Sequence, residues 1–421
     1  MSYRTLKTIF HQRDRAGVDA EERARRESPA ALHWGLMIGE HAMFALTTPE
    51  VTALIERIMS FEPKIRAEWE GLPGGARRHY LDRMVIDEIQ STNEIEQVRS
   101  TRKEIGEAIK ALRAERPAAN KRFMEMARLY LDIGEAEVVS PQTLDDIRTV
   151  YDAVTRGEIR AEDAPDGRRF REGPVSIESG TKIVHTGVVP ESAIDEALTV
   201  MLSQGRDDSI PRLVRAVVAH FIFEYTHPFY DGNGRTGRYL LALDLRQVLA
   251  PYASLALSAT VADNKDRYYR AFAGAEDPLN RGDLTPYLVD MLEIIAEAQH
   301  RLLLDLADRR RKIDALGARI GEVLECARGP LSVGLDRGPA PSVDRHDLGA
   351  ILFVLGQARC FSVTGTAKLK TLADAVGRSS QFVRPRLQRL DDAGIIETVT
   401  RKPLRFRLTE RVASLLELDT E

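Results

Sequence analysis

THPFYDGNGRTGR, residues Thr226 to Arg238, decides how the rest of the chain is read. It contains GNGRTG, which fits the dinucleotide pattern GxGxxG, and it also places a histidine just ahead of a glycine-rich anion cradle. The dinucleotide pattern needs a strand before its glycines and a ribose-binding acid about 20 residues past them. The preceding segment is LVRAVVAHFIFEY, where Leu213, Ala216, Val217, His220, Phe221 and Glu224 fall at helical intervals. The stretch Val248–Ala256 contains no acid. Both tests fail.

The cradle needs a helix, a loop and a second helix. Pro228 ends the first helix near Thr226, because it lacks an N–H and its ring clashes with the preceding turn. Beyond Gly234 the pattern RTGRYLLALDLRQVL is helical again. Gly232, Asn233 and Gly234 therefore run into a helix N-terminus, where free N–H groups and the helix dipole favour a polyanion. Arg235 and Arg238 are three apart, so they share a face and are both expected to reach one phosphate chain. Asp231 suits a Mg²⁺ that bridges phosphates. His227 offers a neutral imidazole to take a proton from a hydroxyl. Phe229 is expected to pack inward and anchor the loop. The residues thus point to a nucleoside triphosphate, Mg²⁺ and a general base.

The surrounding 421 residues suffice for two or three domains. A net charge of −4 gives no bulk attraction to nucleic acid or anionic membrane, so local patches decide. Cys326 and Cys360 stand far from CxxC spacing, which argues against a zinc site or disulfide framework. The charged N-terminus and the lack of an 18-residue apolar run give an expectation of a cytoplasmic chain with no membrane contact. Leu54, Ile55, Ile58 and Met59 read as an amphipathic helix, and Gly71–Gly75 as a break. Residues 116–120 read as a turn, and residues 329–341 as a linker. His220 with Glu224 at i+4 lacks a third metal ligand and reads as a packed histidine.

His227-Pro-Phe229-Tyr-Asp231-Gly-Asn-Gly-Arg235-Thr-Gly-Arg238 resembles the Fic motif, HxFx(D/E)GNGRxxR, at every defined position. The resemblance implies a mainly α fold: a Fic-type helical core with a small β-hairpin flap, followed by a winged helix-turn-helix domain. It implies a protein adenylyltransferase, which moves AMP from ATP to a Tyr, Thr or Ser hydroxyl of a target protein, the chain itself included. On this resemblance His227 is the general base and Asp231 holds Mg²⁺. Gly232, Asn233 and Gly234 form the anion hole, Arg235 meets the β-phosphate and Arg238 the γ-phosphate. One of Tyr268 and Tyr269 is expected against the adenine. The related Doc kinases lack this GNGR, which makes phosphotransfer a lesser reading.

Thr92-Asn-Glu-Ile-Glu96 resembles the inhibitory (S/T)xxxE(G/N) helix of the family, with Gln97 where glycine or asparagine is usual. Glu96 is expected to pair with Arg238 and hold the enzyme partly inactive. The same residue leaves de-AMPylation open. Residues 175–184 read as two short strands and resemble the target-docking flap, with Ile183, Val184 and His185 as contact positions.

From Lys368 to Thr409 there are ten Lys/Arg against four Asp/Glu. Helix, turn, helix and a hairpin with a basic tip form the winged-helix pattern, which serves DNA or protein partners. Pro385 is expected to kink the second helix. The expected division is an N-terminal helical region at 1–75, a core at 76–302, a helical linker at 303–343 and the winged helix at 344–421. Within the core lie the inhibitory helix near 81–97, the flap near 175–185 and the active-site loop at 227–238. A homodimer is kept as an expectation. The alternative function is a DNA-binding regulator that uses the core to sense nucleotide.

Overall fold

A computed structural model describes residues 3–13, 15–113, 122–179, 182–326, 345–362 and 364–418, with the side chains of 178, 179, 182–184 and 326 left aside. The expected turn at 116–120 and linker at 329–341 lie outside these residues. The chain divides into two compact units, residues 1–65 with 84–302, and residues 66–83 with 303–421. Most of the chain is helical, and the sheets are small and antiparallel.

The N-terminal stretch carries α1 (Leu6–Phe10) and α2 (Arg15–Arg26), then β1 (Ala31–Ile38) and β2 (His41–Leu46). The expected N-terminal helical region at 1–75 thus also holds a two-stranded hairpin. Leu32, Trp34, Leu36 and Ile38 recur at every second position, and Gly39-Glu40 makes a two-residue turn with Ile38 opposite His41. Phe44 packs in a small core with Leu6, Ile9 and Val18. Its backbone exchanges hydrogen bonds with Gly282 and Leu284. The buried Arg25–Asp283 pair at 2.9 Å fixes the same junction. Residues 1–65 are thus an integral part of the first unit, not a separate region.

α3 (Pro49–Gly71) and α4 (Gly74–Ile95) meet at the expected glycine-rich break. Leu54 and Ile58 are buried on α3, whereas Met59 is 42% exposed. α5 (Arg102–Leu112) starts from a Thr101–Glu104 capping box. α6 (Met124–Glu135) and α7 (Leu144–Val154) follow. The hairpin β3 (Ser176–Ser179) and β4 (Lys182–Thr186) falls where sequence reasoning puts it, with Ile177 opposite His185.

α8 (Glu191–Gln204) leads to α9 (Arg212–Thr226) and α10 (Asn233–Arg246). α9 is buried from Leu213 to Phe223 on all sides, not on one face. A helix that apolar belongs at the centre of a unit, and so it sets the position of everything at its C-terminus. α11 (Pro251–Ser254), α12 (Leu257–Asp263), α13 (Lys265–Glu276) and α14 (Thr285–Cys326) complete the order up to residue 326.

In the second unit Leu316, Ile320 and Leu324 of α14 share one core with Leu348, Leu352 and Leu355 of α15 (Arg345–Phe361). Residues 303–326 therefore belong to this packed unit, which corrects the expected linker at 303–343. The order continues β5 (Ala367–Lys368), α16 (Leu369–Val376), α17 (Ser380–Asp392), β6 (Ile396–Arg401), β7 (Leu404–Leu408) and α18 (Glu410–Leu415). The sheet order is β5-β7-β6. Gly377, at φ +66°, makes the left-handed turn between α16 and α17. α17 runs on through Pro385, whose position six residues in leaves Val383, Leu387 and Leu390 on the core side.

No helix among the described residues is long and apolar enough to cross a membrane.

Candidate functional site

α9 ends at Thr226, and His227 caps it in the left-handed region at φ +50°. Its N–H still donates to Phe223 O at 3.0 Å, so the ring is thrown sideways from a rigid helix end. Nδ1 lies 3.4 Å from the carbonyl oxygen of Glu224. A carbonyl can only accept, so this contact favours the proton on Nδ1 and leaves a lone pair on Nε2. Burial, with His185 nearby, pushes the imidazole down to about 4. At neutral pH it is uncharged and ready to accept a proton.

Arg171 holds this end of α9 and was not foreseen. It is fully buried and donates to four carbonyl oxygens, those of His227 at 2.8 Å, Gly173 at 2.6 Å, Val188 at 2.9 Å and Thr226 at 3.3 Å. In sequence it sits in the charged run GRRFREG, which reads as solvated loop.

The loop 228–232 is braced from inside. Phe229 is fully buried and stacks on Tyr151 with centroids 3.6 Å apart, as the inward-packing expectation required. Asn233 accepts from Phe229 N at 2.9 Å and donates to Phe229 O at 2.7 Å. Its side chain is therefore a loop brace, and only its backbone N–H is left for an anion. Gly232 stands at φ +83°, the left-handed cap that starts α10. A Cβ on Gly234 would meet Glu96 Oε1 at 2.1 Å, so a carboxylate lies directly against the bare backbone of the first turn of α10.

Arg238 is buried and donates to Glu96 Oε1 at 2.8 Å, to Thr92 Oγ1 at 2.8 Å and to Thr92 O at 3.2 Å. Burial works against its charge, and the Glu96 carboxylate outweighs it, so its proton is held more tightly than usual. Glu94 is exposed and points elsewhere. α4 stops at Ile95, so Glu96 sits in the turn just past the helix. The N–H of Val98 bonds Asn93 O at 2.8 Å, and Gln97 takes φ +58°. This six-to-one closure is a Schellman motif with Gln97 in the position that favours glycine or asparagine. The departure at Gln97 thus has a local physical meaning: a side chain is held where about 1 kcal/mol of strain is usual.

Arg235 departs from expectation. It does not lie beside Arg238 on an open phosphate face. It is buried in an ion pair with Glu158, which is itself largely buried, and Asp231 Oδ2 stands 3.8 Å away. Glu158 also takes Arg122 Nε at 2.8 Å, and Arg122 donates to Arg99 O, three residues past Glu96. Each motif arginine therefore has its own carboxylate. Asp231 is half-exposed, and its Oδ1 accepts from Gly232 N at 2.6 Å.

Tyr268 is buried and 2.7 Å from His220 Nε2, while Tyr269 is 45% exposed with the Lys265 ammonium 5.7 Å from its ring centre. Of the two rings, Tyr269 alone has an open face. His220 also approaches Gly237 O at 3.2 Å, as a packed histidine should. No group of three or more His, Cys, Asp or Glu able to hold a metal occurs among the described residues. Glu224 lies beside the arginine with Oε1 buried and unpartnered, and burial pushes it up to about 8.

In the hairpin, Ile183 and Val184 lie on β4, and their side chains fall outside the described residues. His185 is not an outward docking contact. It is turned inward, 2.6 Å from Glu276 Oε2 and with its ring 5.9 Å from that of His227.

The site thus joins a neutral histidine at the end of α9 with the N-terminus of a glycine-opened helix and two buried arginines, features that suit an anion. Residues 141–245 match the model of the Fic/DOC family. The chain is 33% identical over 106 residues to protein adenylyltransferase fic-1 of Caenorhabditis briggsae, covering 24% of this chain and 19% of that protein. It is 31% identical over 105 residues to protein adenylyltransferase fic-1 of Caenorhabditis elegans, with the same coverage of 24% and 19%. The chain thus spans about a fifth of the length of these curated relatives. Among solved structures, it resembles a Fic family protein from Desulfovibrio desulfuricans at a TM-score of 0.48 and 21% identity, covering 86% of this chain and 97% of that one. It resembles Fic-1 from C. elegans at a TM-score of 0.41 and 20% identity, covering 71% and 79%.

Proposed function

We propose that the protein transfers AMP from ATP to a hydroxyl side chain of a target protein, and that Glu96 restrains it by occupying Arg238. The observation that carries the reading is the 2.8 Å Glu96–Arg238 pair lying against Gly234 at the start of α10. A carboxylate lies against the bare backbone of the cradle and on its arginine, which supports reading the cradle as an anion site.

In this reading the neutral His227 takes the proton from the target hydroxyl as its oxygen bonds to the α-phosphorus. The bond from that phosphorus to the bridging oxygen of the β-phosphate breaks, and pyrophosphate leaves with the electron pair. The first N–H groups of α10 stabilise the charge that develops. Arg171 acts as a positioning residue that keeps the His227 end of α9 fixed. Arg235 and Arg238 meet the outer phosphates after parting from Glu158 and Glu96. Mg²⁺ fits here, since it keeps much of its water and needs only one or two carboxylates beside phosphate oxygens, and Asp231 is half-exposed next to the cradle. Asp231 would hold it, and it would offset phosphate charge. Tyr269 would stack on the base. The outer edge of β4 would take an extended target segment by strand addition.

The test is incubation with α-labelled ATP and Mg²⁺, comparing wild type, Glu96→Gly and His227→Ala. The reading expects weak label in wild type, strong label in Glu96→Gly and none when His227→Ala is added. Label that survives His227→Ala would overturn it.

A further inference from the structure

We propose that the second unit binds double-stranded DNA through α17 and the tip of the β6–β7 hairpin. The inner side of α17 is Val383, Leu387 and Leu390, sealed in the core. Its outer side carries Gln381 and Arg384, both exposed and three apart on its first two turns. These two side chains match the edges of adenine and guanine in the major groove, and the early turns of such a helix are the ones that reach base edges.

The charge around them is one-sided. No acid occurs from Ala375 to Leu390, while Arg378, Arg384, Arg386 and Arg389 do. Three of the four nearby acids are engaged, since Asp391 accepts from Thr398, Asp392 from Gln388, and Glu397 pairs with Arg407, while Asp374 is exposed ahead of Arg378. The hairpin tip adds Arg401 and Lys402, both exposed. Phe382 is 38% exposed between two guanidinium groups, with Arg386 3.4 Å and Arg378 5.5 Å from its ring centre. This stacking orders both cations beside the reading stripe. An exposed helix with reading side chains and a separate cationic tip fits a duplex, with its groove and its phosphates. An acidic protein would need cations but not the Gln381–Arg384 stripe.

The experiment uses the full chain and fluorescence anisotropy on a duplex of about three helical turns, across salt. Four phosphate contacts predict that affinity falls about 150-fold between 50 and 200 mM salt. The pair Arg401→Gln, Lys402→Gln should reduce that fall to about 12-fold, as expected for about two remaining contacts. Circular dichroism would confirm that this surface variant is folded. Arg384→Ala should flatten the ranking among duplexes of different sequence and leave the salt slope nearly unchanged. Three results overturn the proposal: no binding at 50 mM salt, a salt slope unchanged in the tip variant, or equal binding to polyglutamate. The last would favour an acidic protein partner.

Discussion

Replacing Glu96 tests the relation between the two roles assigned to Arg238. The guanidinium is 1% exposed, and it donates to Glu96 and to two oxygens of Thr92. A hydrogen bond between charged groups is worth about 1.5–3 kcal/mol net. Glu96 is 29% exposed on its side chain, so the lower half of that range applies more closely. An ATP that needs Arg238 must displace this bond, and its removal should raise productive ATP binding by about 10- to 45-fold. Glu96→Gln keeps the size and removes the charge, so it should give most of the gain of Glu96→Gly. Glu96→Gly should also lower thermal stability without nucleotide, because a buried arginine loses its counter-charge. ATP should then restore more stability to the variant than to wild type. The assay is the initial rate of AMP incorporation at ATP well below saturation, with affinity measured separately in the His227→Ala background. If Glu96→Gln and wild type bind ATP within a factor of two, the pair does not control access to Arg238 and the reasoning fails.

Glu158→Gln should lower thermal stability by breaking the buried pair with Arg235, and should enlarge the ATP-induced rise in melting temperature, because phosphate would then supply the missing charge; equal rises in both proteins would show that Arg235 does not reach the nucleotide. The imidazole of His227 binds its proton only near pH 4 in the fold against 6.5 in the open chain. The folded form therefore holds fewer protons between those values, and this group's contribution to stability is complete above pH 6.5 and lost as pH falls toward 4. For Glu96→Gly the rate of AMP transfer should accordingly stay level from pH 7.5 down to about 5.5; a half-loss near pH 6.5 would contradict a depressed His227. Gly187→Ala would bring a Cβ to 2.2 Å from an Arg171 nitrogen and 3.0 Å from His227 Cβ. It should lower the transfer rate at least tenfold with ATP affinity nearly unchanged, and parallel losses in both would indicate general misfolding instead.

What could be read in advance was local. Pro228 ends a helix and Gly232 opens one within six residues, so the loop's form follows from neighbours in the chain. Leu369–Val376 and Leu404–Leu408 were equally legible, since Gly377 and the Arg401-Lys-Pro403 turn bound them. The β1–β2 hairpin was legible too, in the alternation of Leu32, Trp34, Leu36 and Ile38, but it is short and lies between helical stretches. The partners of buried charges were not. A buried arginine must find a counter-charge or a set of carbonyls, so the motif predicts that Arg235 has a partner and cannot say which of 64 acids it is. Glu158 lies 77 residues away among Glu162 and Asp163, with nothing in its surroundings to single it out. Arg171 shows the same limit from the other side, because its partners are backbone carbonyls that every residue possesses. Glu96 escaped the limit only through the resemblance of Thr92–Glu96 to the family's inhibitory motif, and Thr92 in turn bonds the same arginine. Where two elements meet through a buried charge, sequence distance alone does not name the partner. The second carboxylate of the site therefore came from the fold, and Glu158 is the residue whose substitution most directly asks whether both motif arginines are restrained before nucleotide arrives.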